Sequence, residues 1–257
     1  MRHKGFLGLL LFATLYCAAQ TQTLYDNFDH RFLNQSLRYS VCAGFSVNEE
    51  CATAVQDEKL HLARGLTGNT DSNTDSNGGT ATVFFLNPVP IRSITTDMVV
   101  RAVNAIPCAA NPGLSWANVG ITARFFNAGD GTEADDVGAG IILGRSPSTP
   151  KGQMYVLASF FHNGDYSHTV SLGNVPIGTP VTVSVTWDQA NHSFLFSWTN
   201  KITKVTTPAL LSYSFSDTTP AADPEKHLDV QLAPANCTAT QTWVFADAVF
   251  DNVYVSQ

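Results

Sequence analysis

Residues 181–198, V-T-V-S-V-T-W-D-Q-A-N-H-S-F-L-F-S-W, alternate apolar and polar side chains on both sides of a central turn. A period of two held over that length is the mark of an antiparallel hairpin with one buried and one wet face. If Asp188 and Ser193 close the turn, Trp187 stands opposite Phe194, Val185 opposite Phe196 and Val183 opposite Trp198, all on one side. Thr182, Ser184, Thr186, Ser197 and Thr199 take the other side. Such an aromatic ribbon needs a second sheet over it, because a lone hairpin leaves its apolar face in water. The pattern therefore predicts an all-β protein and assigns Trp187 and Trp198 to its core.

Near the start, Arg2, His3 and Lys4 precede an apolar run over residues 5–16 and the small-residue stretch Cys17-Ala18-Ala19. This order reads as a secretory signal over residues 1–19, and the apolar run falls short of the roughly 20 residues of a spanning helix. Residues 20–257 then form one sandwich domain, exported to the periplasm, the cell surface or the medium. The exported part keeps Cys42, Cys51, Cys108 and Cys237, an even number in an oxidising compartment. Of the three pairings open to four cysteines, the expected one joins Cys42 to Cys51 and Cys108 to Cys237, each bridge contributing ~2–4 kcal/mol. No C-x-x-C pair offers a zinc site. Without Arg2 and Lys4, 12 basic residues face 21 acidic ones, a formal charge near −9. That balance argues against nucleic acid and anionic membrane surfaces as partners, and no later segment is apolar enough for membrane insertion.

Further strands are expected over residues 23–29, 57–62, 94–103, 119–126, 137–143 and 153–161, with a closing strand pair over 243–255. Asn163-Gly164 is a two-residue hairpin signal that pairs His162 with Asp165 and Phe161 with Tyr166, and so sets His168 opposite Ser159. In that register His162 and His168 point to opposite faces and make no joint metal site. The tandem T-D-S-N at residues 70–77 is a polar surface loop. Its Asn73-x-Asp75-x-Asn77-Gly78 is similar to the start of a calcium loop but lacks a leading aspartate and a distal glutamate. Three tripeptides, at Asn34, Asn191 and Asn236, fit the N-glycosylation pattern.

Four segments in order, Y-D-N-F-D at 25–29, D-E-K-L-H-L at 57–62, the 181–198 hairpin, and F-D-N-V-Y-V at 250–255, resemble the concanavalin A-like lectin/glucanase superfamily across nearly all of the exported chain. The resemblance implies a two-sheet antiparallel jelly-roll sandwich, often with a carbohydrate site on the concave face. It also implies a structural calcium where the first and last strands meet, held by Asp26 or Asp29 with Asp251. The two-carboxylate enzymes of that superfamily carry E-x-D-x-x-E or E-x-D-x-E on a strand. Here only Glu133-Ala134-Asp135 resembles the first half, and Val137 or Gly138 holds the place of the last glutamate.

Strand parity points to a surface that a ligand would use. With Val119, Ile121, Ala123 and Phe125 inward, Thr122, Arg124 and Phe126 face out; with Val137, Ala139, Ile141 and Leu143 inward, Gly138 and Gly140 face out. Outward glycines let a ligand reach the backbone. The 153–171 hairpin, read in its two-residue-turn register, adds Phe160 and His162 to the outward side. Trp116, after the loop Asn111-Pro112-Gly113-Leu114-Ser115, is the one tryptophan that a loop would present. The expected contact set is Trp116, Arg124, Phe126, Phe160 and His162, with aromatic rings stacking on sugar and Arg124 and His162 donating hydrogen bonds. The first functional expectation is a secreted, non-catalytic carbohydrate-binding or cell-surface recognition module. A second is a glycan hydrolase or lyase with loop acids Glu133, Asp135 and Asp136. A third is a structural or adhesion domain without a small ligand.

Overall fold

The 181–198 hairpin forms in the expected register, with Val183 paired to Trp198, Val185 to Phe196, Trp187 to Phe194 and Asp188 to Ser193. A 3-10 turn over Gln189–Asn191 joins its strands, with the Asp188 carboxylate accepting the Asn191 N–H at 3.3 Å and His192 in the left-handed region at φ 45°. The computed structural model describes residues 21–44, 49–162 and 165–257. The expected signal over 1–19 and the Asn163-Gly164 turn lie outside the described residues.

Along the chain the strands are β1 (Thr23–Asp26), β2 (Arg38–Gly44), β3 (Glu49–Gln56), β4 (Lys59–Thr67), β5 (Gly79–Phe85), β6 (Ser93–Ala105), β7 (Trp116–Asn127) and β8 (Asp136–Arg145). They continue as β9 (Gln153–His162), β10 (Asp165–Pro176), β11 (Val181–Asp188), β12 (Ser193–Asn200), β13 (Thr206–Ser212), β14 (Thr219–Pro220), β15 (Lys226–Ala233) and β16 (Trp243–Ser256). One sheet runs β13-β12-β11-β6-β16-β4-β3, with β1 also on β16; the other runs β10-β9-β8-β7-β15-β5-β2, with β14 on β7. Every pairing is antiparallel. The chain crosses repeatedly between the sheets, giving the second sheet that the hairpin required and the two-sheet antiparallel jelly-roll sandwich that the resemblance implied.

The core lies between the sheets. Trp187, Phe194, Phe196 and Trp198 of the first sheet pack there with Phe125, Phe126 and Phe160 of the second. Burying each such side chain stabilises the fold by about 1.5–3 kcal/mol. The polar edges of the two core tryptophans are satisfied: Trp187 Nε1 donates to Tyr213 Oη at 2.6 Å and Trp198 Nε1 to the Leu172 carbonyl at 3.2 Å. Both expected disulfides are present, Cys42–Cys51 and Cys108–Cys237.

Several local readings give way to bulges and turns. The closing segment is one long strand, β16, which pairs along one side with β4 and β1 and along the other with β6, kinked by register shifts near Ala248 and Asn252. In D-E-K-L-H-L, Asp57 and Glu58 are the turn and not the strand: both have positive φ, 51° and 58°, between the paired Gln56 and Lys59.

Two bulges reverse faces. A register shift after Arg124 turns Phe126 into the core, where its ring lies 5.3 Å from Trp187 and 5.0 Å from Tyr213. Another between Tyr166 and His168 sets His168 opposite Phe160 and Thr169 opposite Ser159. One extra residue on a strand inverts the parity of everything beyond it. Phe160 therefore points into the core, at 5% exposure, and not outward as its polar partners implied.

Candidate functional site

The outward face of the second sheet is where polar and glycine residues assemble. Registered across β2, β5, β15, β7, β8 and β9, one row reads Tyr39, Phe84, His227, Thr122, Gly140, Ser159. The next reads Val41, Thr82, Asp229, Gly120, Ile142, Leu157, and the third Ala43, Thr80, Gln231, Asn118, Gly144, Tyr155. Beyond the first row, Arg124 pairs with Gly138 and Gly138 with Phe161. Polar side chains thus fill the centre on β15 and β7, glycines run along β8, and aromatic rings stand toward both sides.

This face is dished. Asp229, Thr82, Ser159 and Asn118 point away from the core yet are 1%, 4%, 4% and 8% exposed. The outward Thr182, Ser184, Leu195 and Ser197 of the other sheet are all half-exposed.

Its glycines serve two purposes. A Cβ on Gly120 would come within 2.1 Å of the Ile141 carbonyl oxygen, so that glycine is required by the closeness of the neighbouring strand. At Gly138 and Gly144 the space is taken by rings: a Cβ would meet Phe161 Cζ at 2.1 Å and Tyr155 Cε2 at 2.3 Å. The Tyr155 hydroxyl reaches Asn118 Oδ1 at 2.7 Å. On the opposite side Tyr39 and Phe84 stack at 4.9 Å, and His227 meets Phe84 edge-on at 5.0 Å.

At the centre, Asp229 Oδ2 accepts from Gln231 Nε2 at 2.6 Å and Thr122 Oγ1 at 3.1 Å, and lies 3.0 Å from His227 Nε2. Asp229 Oδ1 and His227 Nδ1 are enclosed without a partner. A buried polar atom left unpaired costs about 1–3 kcal/mol. Arg124 donates to Asp223 at 2.5 Å and lies 3.9 Å from Glu225. Burial, then Asp223, raises the Glu225 carboxyl above its ordinary range, and burial with Glu225 and Asp223 raises the Tyr39 phenol.

Trp116 stands at one end of this face. Ser115 Oγ accepts the Ala235 N–H at 3.1 Å, and Asn111 Nδ2 donates to the Asp75 and Asn236 carbonyls beside the Cys108–Cys237 bridge. The pinned loop leaves Trp116 half-buried over an open cleft of about 400 Å³ with Ala43, Gly79, Thr80 and Gln231.

Of the expected contact set, Trp116 and Arg124 share this face; Phe126 and Phe160 lie in the core, out of a ligand's reach. His162 shares the parity of Phe160 and sits at the sheet's end, its ring 4.5 Å from Phe215 and Nε2 3.8 Å from Asp135. Two of the three loop acids are bound into the fold, Asp135 accepting the Asp130 amide at 3.1 Å. Glu133–Asp135 is a 3-10 turn and not a strand, and buried Asp136 accepts from Asn127 and the Ala222 and Asp223 amides. Asn73 is bound to Thr238, and Asn77 to Thr67 and Asn69, so the T-D-S-N loop is a strap beside Cys237.

Asp26 is spent on Arg38 and the Phe28 amide, Asp29 on Asn27, and Asp251 on the Asn252 amide. Among the described residues no three His, Cys, Asp or Glu side chains gather as a metal-binding group.

No protein-family model and no curated protein matches the chain. Solved structures do. Lectin UEA-II complexed with galactose is 12% identical, with 90% of this chain and 98% of that one covered at a TM-score of 0.44. The Lotus tetragonolobus seed lectin is 10% identical over 93% and 99%, at 0.42. Arcelin-5, a lectin-like defense protein from Phaseolus vulgaris, is 12% identical over 86% and 100%, at 0.39. The sandwich assignment rests on the strand pairings themselves.

The residues that sequence reasoning missed are His227, Asp229 and Gln231. They alternate with Leu228, Val230 and Leu232, a period-two run that identifies β15 and its wet side.

Proposed function

We propose that the protein is an exported, non-catalytic glycan-binding module whose site is the outward face of the second sheet. The carrying observation is the juxtaposition, on one dished face, of aromatic rings at both sides with buried polar atoms that have no partner, Asp229 Oδ1 and His227 Nδ1, between them. Sugars offer exactly two kinds of surface, apolar C–H faces and hydroxyl edges; aromatic rings take the first and Asp, Asn, Gln and His the second. Phe161 and Tyr155 serve as stacking rings, Tyr39 and Phe84 as the opposite wall, and Trp116 extends the platform at the end. A non-catalytic role accords with Asp135 and Asp136 being bound into the fold. Secretion accords with two disulfides, which persist in oxidising compartments.

Glycan-array binding of the exported chain, compared with Phe161→Ala, tests this reading. The expected result is retention on a set of glycans, reduced about tenfold or more in the variant with its melting temperature within a few degrees of the parent. Retention unchanged in Phe161→Ala, or none on any glycan, contradicts it.

A further inference from the structure

The groove's central polar group narrows the ligand further, on the footing of the glycan-binding reading above. Both donors to Asp229, Thr122 Oγ1 and Gln231 Nε2, bind Oδ2, which also lies 3.0 Å from His227 Nε2, and Oδ1 has none. Oδ1 is therefore an unfilled, enclosed acceptor. A hydroxyl can satisfy it; an ammonium satisfies it with a charge-assisted bond and brings the opposite charge to the carboxylate.

The surroundings point the same way. Asp223 and Glu225 stand at the same end of the face, where burial first, and then these two acids, raise the Tyr39 phenol. Arg124, the cation of this face, is already engaged by those two acids. The stacked Tyr39 and Phe84 rings supply a wall of the kind that attracts cations. An anionic sugar brought here meets three carboxylates and, among the described residues of this face, no open cation.

We infer that the groove selects glycans bearing a free amino group, seated as the ammonium on Asp229 Oδ1. Entry requires the half-exposed Gln231, held to Asp229 by one 2.6 Å hydrogen bond, to swing aside and give up its place.

The test is titration of the exported protein at neutral pH with β-1,4-linked glucosamine oligomers and, in parallel, the same oligomers N-acetylated, with oligouronates as a third ligand. Binding of the free-amine chain at least about tenfold tighter than the acetylated chain, with no measurable uronate binding, is the expected result. Asp229→Asn, which keeps shape and hydrogen-bonding capacity, should then bring the two affinities within about threefold; a preference that persists in that variant overturns the assignment. Equal or tighter binding of the acetylated or uronate chains by the parent protein overturns the amine assignment while leaving a glycan groove standing. Binding of none of the three overturns the amine assignment, and the array experiment then decides separately whether any glycan is bound.

Discussion

The Tyr155 hydroxyl donates to Asn118 Oδ1 at 2.7 Å across the surface of Gly144, so that one ring and one amide occupy the room that glycine leaves. The neighbours that a methyl group at Gly144 would strike are side-chain atoms, 2.2–2.5 Å away. At Gly120 the nearest is the Ile141 carbonyl, 2.1 Å away. Chemical denaturation of Gly120→Ala should show a loss at or above the upper end of the ~1–3 kcal/mol typical of overpacking. Gly144→Ala should cost less, yet weaken glycan retention by displacing Tyr155. Equal destabilisation by the two would contradict the distinction.

Lys226 gives the fold a pH dependence. It is 1% exposed, its Nζ donating to the Arg124 carbonyl at 2.9 Å and lying 4.8 Å from the Phe125 ring centre. Burial, with a smaller contribution from Arg92, pushes its amine down to about 7. Unfolded, the amine returns to about 10.4, so between about pH 7 and about pH 10 the unfolded chain binds the extra proton. Stability should therefore rise with pH across that window, by up to about 1.4 kcal/mol per unit from this group. Lys226→Met should flatten the rise. Denaturation midpoints that fall over this window in the parent but not in the variant would give the wrong sign.

The fold was legible in the sequence wherever alternation ran unbroken. The pairing of Trp187 with Phe194 and the assignment of Trp198 to the core followed from period two alone, and the inward set Val119 to Phe125 likewise. What failed was parity across bulges. Phe126 and Phe160 were placed on the wet side because a single extra residue, after Arg124 in one case and near His168 in the other, is invisible to a count of alternating residues. The site was half legible: Trp116 and Arg124 lie on the face that binds in the present account, but its centre is on β15. That strand's alternation, His227 to Leu232, was plain enough; its position in the middle of the sheet, between β7 and β5, comes only from long-range pairing.

Tyr213 links a core tryptophan to a buried acid. It accepts from Trp187 Nε1 at 2.6 Å and donates to Asp217 Oδ2 at 2.7 Å, and burial with Asp217 holds its phenol well above the usual range. Tyr213→Phe leaves both partners short of a bond and should cost about 1–3 kcal/mol in urea denaturation. In the parent, ultraviolet titration should find this tyrosine un-ionised at a pH where exposed tyrosines have become phenolates.

The two disulfides should differ in weight. Cys108–Cys237 spans 129 residues and Cys42–Cys51 spans 9, which loop-closure entropy translates into about 5 and about 2–3 kcal/mol. The Cys108→Ala, Cys237→Ala double variant should lose the more stability. It should also loosen the strap at Asn73 and Asp75, read as faster amide hydrogen exchange at Asn236 and Cys237→Ala, whose amides are donated to the Asp75 and Asn69 carbonyls.

The most direct test of the central claim compares the two outward faces. Trp243 covers Gly65 on the first sheet, a half-exposed ring remote from the groove, and Tyr155 covers Gly144 on the second. Isothermal titration of the tightest array glycan into Tyr155→Ala and Trp243→Ala measures which ring a sugar uses. The account predicts a loss of about tenfold or more, some 1.4 kcal/mol, for Tyr155→Ala and an unchanged Kd for Trp243→Ala. Loss at Trp243 with Tyr155→Ala binding like the parent would place the ligand on the other sheet and contradict it.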